Sequence, residues 1–170
     1  MKRKNNIEPP ARKRTILALD TATKCGWALH RDGKIIDSGV WDFTAKTIGR
    51  KLSKFYSLLK TIVERESVSE IVAEDIYIDT SRPKAFLRLS EMRGLLLLIG
   101  ELYDIPINFI APSEHKRYLC RSSYASKEDT QQAIERLGYG HIASNDEADA
   151  IAILLTYIQA PTRTANSRRR

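Results

Sequence analysis

Two aspartates near the C-terminal end of the chain have the spacing of a catalytic or metal-binding pair. Asp146 and Asp149 lie three residues apart in SNDEADAIAILL, at the start of an apolar stretch. If this stretch is a helix, residues at i and i+3 share one face, so both carboxylates point the same way. Asn145 is a favourable N-cap and acids in a first helical turn suit the helix dipole, so a purely structural role remains an alternative.

Two further carboxylates follow short apolar runs that are typical of buried strands. Asp20 follows residues 16–19, and Glu74 follows residues 71–73. The carboxyl ends of strands are the usual edge for active sites in α/β sheets, although an aspartate after a strand is also common in turns. Because a buried carboxylate without a partner is costly, we expect Glu74 to face a metal ion, a cation or solvent. Asp75 is the weaker candidate, since alternation directs it to the opposite face of the strand.

Four carboxylates on two strands and a helix, without a histidine or cysteine pattern around them, indicate a site for hard cations. Mg²⁺ and Mn²⁺ take carboxylate and water oxygens as ligands and often keep positions open for phosphate. Two such ions about 4 Å apart can activate a water and stabilise the leaving oxygen of a phosphodiester. The residues therefore predict phosphodiester hydrolysis that depends on Mg²⁺, with two ions per active site and Mn²⁺ as a substitute.

The order of these motifs resembles a known family. A strand aspartate, a strand glutamate and then D-x-x-D-A-x-A on a last helix are similar to the RuvC-type Holliday junction resolvases of the ribonuclease H-like superfamily. The resemblance extends over roughly residues 16–157, and the segments DTATKCGWAL and ASKED are most similar to viral, particularly phage, members. It implies that the catalytic metal ligands are Asp20, Glu74, Asp146 and Asp149.

The same resemblance implies residues that contact DNA. Lys116 and Lys127 match two functional lysines that stand eleven residues apart in the family, and they would stabilise the phosphate. Tyr77 falls where the family has an aromatic residue that meets bases near the crossover, and Arg82 and Lys84 follow it in the expected junction channel. The turn DTATKCG is one residue shorter than the bacterial D-P-G-x-x-x-x-G, so sequence preference does not follow from the resemblance.

The net charge of +7 is unevenly distributed along the chain. Residues 1–14 hold six Lys or Arg and one Glu, and residues 161–170 hold four Arg, whereas residues 15–160 hold 18 basic and 20 acidic residues. We therefore predict a basic disordered arm at 1–14, one nuclease domain at 15–160 and a basic tail at 161–170. Such arms bind phosphates through screened electrostatics, with solubilisation or targeting as the alternatives.

Length and composition predict a cytoplasmic protein with one core. A chain of 170 residues corresponds to one domain. The run LLLLIG is too short to span a bilayer, and the N-terminus lacks the apolar segment of a secretory signal. Cys25 and Cys120 form no ligand-spaced group, which fits a reduced compartment. His30, His115 and His141 are scattered, and we interpret them as surface or structural residues rather than a general-base set.

Hydrophobic periodicity predicts an α/β fold, which the resemblance specifies as ribonuclease H-like. We expect a mixed five-stranded sheet, with three antiparallel strands first and then parallel strands, and helices on both faces. Strands are predicted at residues 15–19, 26–30, 34–40, 71–74 and 107–110, and helices at residues 48–63, 83–103, 113–119, 127–137 and 146–159. The Asp32-Gly33 pair predicts a hairpin between the second and third strands.

The predicted helix at residues 83–103 is informative about assembly. Around residues 95–99 it is apolar on every side, whereas a helix that covers one sheet needs only one apolar stripe. Its other face should therefore be buried by a neighbouring helix or by a second subunit. In the resembled family this helix forms the homodimer seam, which suits the two-fold character of a four-way junction.

These observations together predict a homodimeric, Mg²⁺-dependent endodeoxyribonuclease that nicks four-way DNA junctions at symmetric positions in recombination and repair. A nuclease that cuts flaps or forks, and an RNA-processing nuclease of the YqgF type, are the enzymatic alternatives. A structure-specific DNA-binding module that keeps the acids only for packing is the non-enzymatic alternative.

Overall fold

The computed structural model describes residues 14–22, 24–77, 81, 83–122, 124–139, 142 and 144–159, and of Lys127 it describes the backbone only. Within these ranges the elements are β1 (Thr15–Asp20), β2 (Lys24–Arg31), β3 (Lys34–Asp42), α1 (Ile48–Glu66), β4 (Glu70–Glu74), α2 (Pro83–Tyr103), β5 (Ile107–Ile110), α3 (Pro112–Cys120), α4 (Lys127–Arg136) and α5 (Asn145–Gln159). No helix in the described part of the chain is both long and apolar enough to cross a membrane.

The strands form one mixed sheet in the order β3-β2-β1-β4-β5. The pairs β1–β2 and β2–β3 are antiparallel, whereas β1–β4 and β4–β5 are parallel, which confirms the predicted fold class. Leu19 pairs with Ala73, and Glu74 pairs with Ile110. The carboxyl ends of β1, β4 and β5 therefore meet at one edge of the sheet.

The sheet separates two hydrophobic cores. Leu17 and Leu19 of β1 pack in the core with α1 and α2, and Ile16 and Ala18 pack in the core with α5. Successive side chains of a strand point to opposite faces, and this alternation is what buries both sides of β1. Asp20 continues the series of Ile16 and Ala18, so its carboxylate lies on the face that α5 covers.

The hairpin between β2 and β3 follows the predicted turn. Asp32 and Gly33 have φ angles of 51° and 82°, which is the left-handed backbone of the turns that suit strand twist. Both strands extend beyond the predicted limits, because cross-strand pairing continues to Lys24 and Asp42. These are opposite charges on paired strands, so the added length is compatible with polar residues.

The helix starts agree with the sequence at α4 and differ by one residue at α5. The Asp129 amide donates to Ser126 Oγ at 3.1 Å and the Ser126 amide donates to Asp129 Oδ2 at 2.9 Å, forming a capping box. We expected Asn145 to cap α5, but the Glu147 amide donates to Ser144 Oγ at 3.2 Å. Serine and asparagine are nearly equal as N-caps, so propensity alone did not choose between these neighbours.

A glycine in β2 allows α5 to lie directly on the sheet. A Cβ atom at Gly26 would overlap the backbone carbonyl of Asp146 and would lie 3.2 Å from the Ala150 Cβ. Gly26 is also the register partner of Asp20. The missing side chain therefore lets the first turn of α5 approach the strand that ends at Asp20.

We predict that Gly26→Ala lowers the free energy of unfolding by about 1–3 kcal/mol, because the added methyl group forces α5 away from the sheet. Urea denaturation monitored by circular dichroism measures this change. Gly49→Ala is the matched control, since a Cβ at this exposed position of α1 meets nothing within 4 Å. An equal effect of the two substitutions would contradict the close approach at Gly26.

Candidate metal and active site

Two of the four acids lie side by side at the carboxyl edge of the sheet. Asp20 ends β1 and Glu74 ends β4, and the register pair Leu19–Ala73 precedes them on the two parallel strands. Adjacent strands are about 4.8 Å apart, so the two backbones are close at this edge. Glu74 is two residues after Val72, which packs in the core with α5, and this places the Glu74 side chain on the same face as that of Asp20.

The other two acids lie in the first turns of α5, above the same edge. Asp146 touches the sheet through its carbonyl at Gly26, and Asp149 is one turn further along the helix. Burial raises the pKa of the Cys25 thiol, and the nearby carboxylates of Asp20 and Asp146 raise it further. Asp20 and Asp146 therefore both act on this buried thiol, which stays protonated.

The chemistry of these groups fits a hard divalent cation. Asp20 and Asp149 are each only 8% exposed, and carboxylates this buried repel one another unless a positive charge compensates them. Oxygen-only donors are the ligands that Mg²⁺ and Mn²⁺ prefer. Among the described residues, no three His, Cys, Asp or Glu side chains already converge as a ligand set. Ion binding therefore requires rotation of the carboxylates, and the Glu74 side chain, at 29% exposure, has room to rotate.

The acid between the two aspartates of α5 has a different role. Ser38 Oγ of β3 donates a hydrogen bond of 2.6 Å to Glu147 Oε1. Neighbouring residues on a helix project about 100° apart, so Glu147 reaches β3 instead of the edge where Asp146 lies. This contact ties the start of α5 to the outer part of the sheet. This contact has no signal in the local sequence, because the two residues are 109 positions apart.

Asp75 points away from the four acids, as alternation along the strand predicts. Its Oδ1 lies 2.5 Å from the Arg93 guanidinium of α2, and that guanidinium stacks 3.4 Å from the centre of the Phe109 ring. The Asp75 amide also donates to the Ile110 carbonyl at 2.8 Å. The chain that leaves Glu74 is thereby anchored to α2 and β5.

The residues expected to contact DNA are only partly described. Tyr77 is 82% exposed and Lys116 is partly exposed, and both follow strand ends at the edge where the acids lie. Lys84 is exposed at the start of α2. Arg82 and the side chain of Lys127 lie outside the described residues, although the Lys127 backbone begins α4.

A histidine lies beside Glu74, which sequence analysis did not foresee. His115 is 1% exposed, so it is not a surface residue, and its Nδ1 is 3.8 Å from Glu74 Oε1. Burial, and to a smaller extent the Lys116 charge, lowers the pKa of His115 to about 4, so its imidazole is neutral at pH 7. His30 is partly buried, and His141 lies outside the described residues. The strand pairing that brings His115 to Glu74 has no signature in local sequence.

The chain matches a family model described as crossover junction endodeoxyribonuclease RuvC over residues 16–157. It is similar to a curated crossover junction endodeoxyribonuclease RuvC from Ehrlichia chaffeensis. The two are 29% identical over 148 residues, which cover 84% of this chain and 94% of the relative.

Solved structures show the same fold. RuvC of Thermus thermophilus, in complex with a Holliday junction substrate, superposes with a TM-score of 0.70 at 15% identity, over 85% of this chain and 92% of that one. The yeast mitochondrial Holliday junction resolvase superposes with a TM-score of 0.62 at 15% identity, over 84% of this chain and 77% of that one. These matches confirm the ribonuclease H-like architecture, and the family model covers more than half of the sequence. The chain therefore belongs to the RuvC family of crossover junction endodeoxyribonucleases.

Proposed function

We propose that this protein is a metal-dependent endodeoxyribonuclease that resolves four-way DNA junctions by paired symmetric nicks. The observation that supports this most strongly is the placement of four acids at one edge and on one face of the sheet, in a chain of the RuvC family. A solved structure with the same fold is in complex with a Holliday junction substrate.

The four acids, Asp20, Glu74, Asp146 and Asp149, would hold two Mg²⁺ ions per active site, and Mn²⁺ would substitute. Bound there, the ions would lower the pKa of an attacking water and neutralise the charge that develops on the scissile phosphate. The low exposure of Asp20 and Asp149 strengthens their attraction for a cation, because charges interact more strongly away from bulk water. Lys116 and Lys127 would place positive charge on the phosphate.

The remaining DNA contacts would come from the segment after Glu74 and from the basic ends of the chain. Tyr77 is exposed beside the catalytic edge, and an exposed aromatic ring can stack on unpaired bases at a crossover. Arg82 and Lys84 would line the channel that receives the junction DNA. We further propose that residues 15–160 form the nuclease domain and that the protein acts in the cytoplasm; a viral origin stays a prediction.

The apolar face of α2 supports a homodimer. Met92, Leu96 and Ile99 are buried on the sheet. Four leucines of the same helix are between 47% and 60% exposed: Leu87, Leu97, Leu98 and Leu102. Clustered exposed apolar side chains are typical of interfaces, and a two-fold dimer would present one active site to each of two opposed strands.

We predict that Glu74→Gln and Asp146→Asn each reduce junction cleavage more than about 100-fold, because the amides lose the charge that holds the ions. Binding to the junction in Ca²⁺ or without metal should persist. A gel assay with four-way, flap, duplex and RNA substrates, with and without Mg²⁺, measures both properties. Glu147→Gln is the matched control, since its amide oxygen can still accept the Ser38 hydrogen bond.

Near-wild-type cleavage by Glu74→Gln or Asp146→Asn would remove that residue from the metal site. Equal damage by Glu147→Gln would show that loss of any negative charge at the start of α5 impairs cleavage, so the effect of Asp146→Asn would not identify a metal ligand. Preferred cleavage of flaps or RNA would favour the alternative nucleases, and binding without cleavage would favour a DNA-binding module.

The basic N-terminal segment provides a second test. Arg14 forms an ion pair of 2.9 Å with Glu70, so the deletion should end at residue 13. Removal of residues 1–13 should weaken DNA binding and flatten its dependence on salt, with a slope change of about 0.9 for each lost phosphate contact. Fluorescence anisotropy at several salt concentrations measures this slope, and replacement of the five Lys and Arg residues by Gln separates charge from length. An unchanged slope would assign the segment to solubility or targeting.

The dimer seam is tested at α2. Leu98→Glu should give a folded monomer that no longer makes paired nicks, because an unpaired charge in the seam costs several kcal/mol. Leu96→Glu should instead unfold the protein, since Leu96 is 1% exposed. Leu58→Glu is the matched control, because Leu58 is 39% exposed but lies on α1. Sedimentation velocity gives the oligomeric state, and a wild-type monomer at micromolar concentration, with and without junction DNA, would refute the seam.

A further inference from the structure

The carboxyl edge of the sheet, where Asp20 and Glu74 lie, contains a buried histidine that the proposed chemistry does not use. The imidazole of His115 is 1% exposed, and its Nδ1 makes no hydrogen bond to any residue that the structure describes. Buried polar atoms are nearly always hydrogen-bonded, and leaving one without a partner is destabilising. The lack of a hydrogen bond at His115 Nδ1, next to the proposed metal ligand Glu74, therefore requires an explanation.

The distance between His115 and Glu74 suggests why this nitrogen has no hydrogen bond. His115 Nδ1 and Glu74 Oε1 are 3.8 Å apart, whereas an N–H···O hydrogen bond needs about 2.7–3.2 Å. The Glu74 side chain is 29% exposed and can rotate, but His115 is enclosed at 1% exposure. A small rotation of the Glu74 carboxylate would therefore bring it into hydrogen-bonding range of a fixed donor.

The fold places His115 at this point through β5 and α3. Ile110 of β5 is the register partner of Glu74, and α3 begins two residues later at Pro112. The first turn of α3 thus brings His115 to the carboxyl end of β4. Leu119, four residues further on the same side of α3, packs against the core with α5. His115 therefore lies on the same inner face of α3 as the apolar Leu119, and its imidazole can donate a hydrogen bond.

We propose that His115 is a positioning residue for Glu74. When a divalent cation is bound, the enclosed imidazole donates its Nδ1 proton in a hydrogen bond to the Glu74 carboxylate and so fixes the orientation of this ligand. Carboxylates that bind metal ions are commonly held by such hydrogen bonds, and loss of the partner weakens metal binding about 10- to 100-fold. This inference rests on the proposed metal site and adds α3 to the elements that build it.

The test measures Mn²⁺ binding without DNA, from the electron paramagnetic resonance signal of free Mn²⁺ in a titration. His115→Asn keeps an N–H donor near the Nδ1 position, His115→Gln moves the donor to the Nε2 position, and His115→Leu removes it. We expect the His115→Leu and His115→Gln variants to bind Mn²⁺ about 10-fold or more weakly than wild type. The His115→Asn variant should bind Mn²⁺ with nearly wild-type affinity. Metal-free binding to a four-way junction should be unchanged in all three variants.

Two further variants serve as references. His30 also has a buried Nδ1 that lacks a hydrogen bond within the described ranges, but it pairs with Ile16 on β1, far from Glu74. His30→Asn should therefore leave Mn²⁺ affinity unchanged, which separates an effect at the site from a general effect of replacing a buried histidine. Glu74→Gln should lose most of the Mn²⁺ affinity and defines the signal of a damaged site.

The outcomes separate this inference from the proposed function. A folded His115→Leu protein with wild-type Mn²⁺ affinity would overturn it, and so would a His115→Asn protein as weak as the Leu variant. If His115→Leu does not fold, the comparison of Asn with Gln decides. Wild-type protein that binds no Mn²⁺ would refute the metal site itself. If Glu74→Gln loses Mn²⁺ affinity but no His115 variant does, only the role of His115 is refuted.

Discussion

Mutual repulsion among carboxylates is the constraint on which the proposed site depends. Two like charges 4 Å apart repel by about 4 kcal/mol in the effective dielectric of a protein surface. Asp20 and Asp149 are nearly buried, and Glu74 and the backbone of Asp146 are placed at the same edge of the sheet. Such an arrangement persists only if the fold imposes it, and the divalent cation that we propose would relieve the repulsion.

The fold imposes the arrangement through a few close contacts on both faces of the sheet. Parallel pairing of β1 with β4 aligns the two strand acids, and Gly26 lets α5 approach the sheet where Asp20 ends. The hydrogen bond between Ser38 and Glu147 holds the start of α5. On the other face, the ion pair between Asp75 and Arg93 anchors the chain that leaves Glu74. Because α2 contributes this anchor, the helix proposed for the dimer seam is also linked to the edge of the sheet where the proposed active site lies.

Local sequence was sufficient for the elements and for the four acids as candidates. Strand ends and helix starts have their own signals, such as the apolar run before Asp20 and the predicted helix start at Lys127, and the structure places both as expected. The contacts missed are those made by residues distant in sequence. Glu147 and Ser38 are 109 positions apart, and His115 reaches Glu74 only because β5 pairs with β4. Neither pairing changes the local hydrophobic pattern, so no periodicity could have revealed them.

We propose that these acids act together on one metal centre. The most direct measurement is a crystal structure of the protein soaked in Mn²⁺, with anomalous difference maps that locate the ions. If the acids share a metal centre, anomalous peaks should lie about 2.1 Å from carboxylate oxygens of Asp20, Glu74 and at least one aspartate of α5. Peaks only at other acids, or no peak at this edge at Mn²⁺ concentrations that support cleavage, would contradict it.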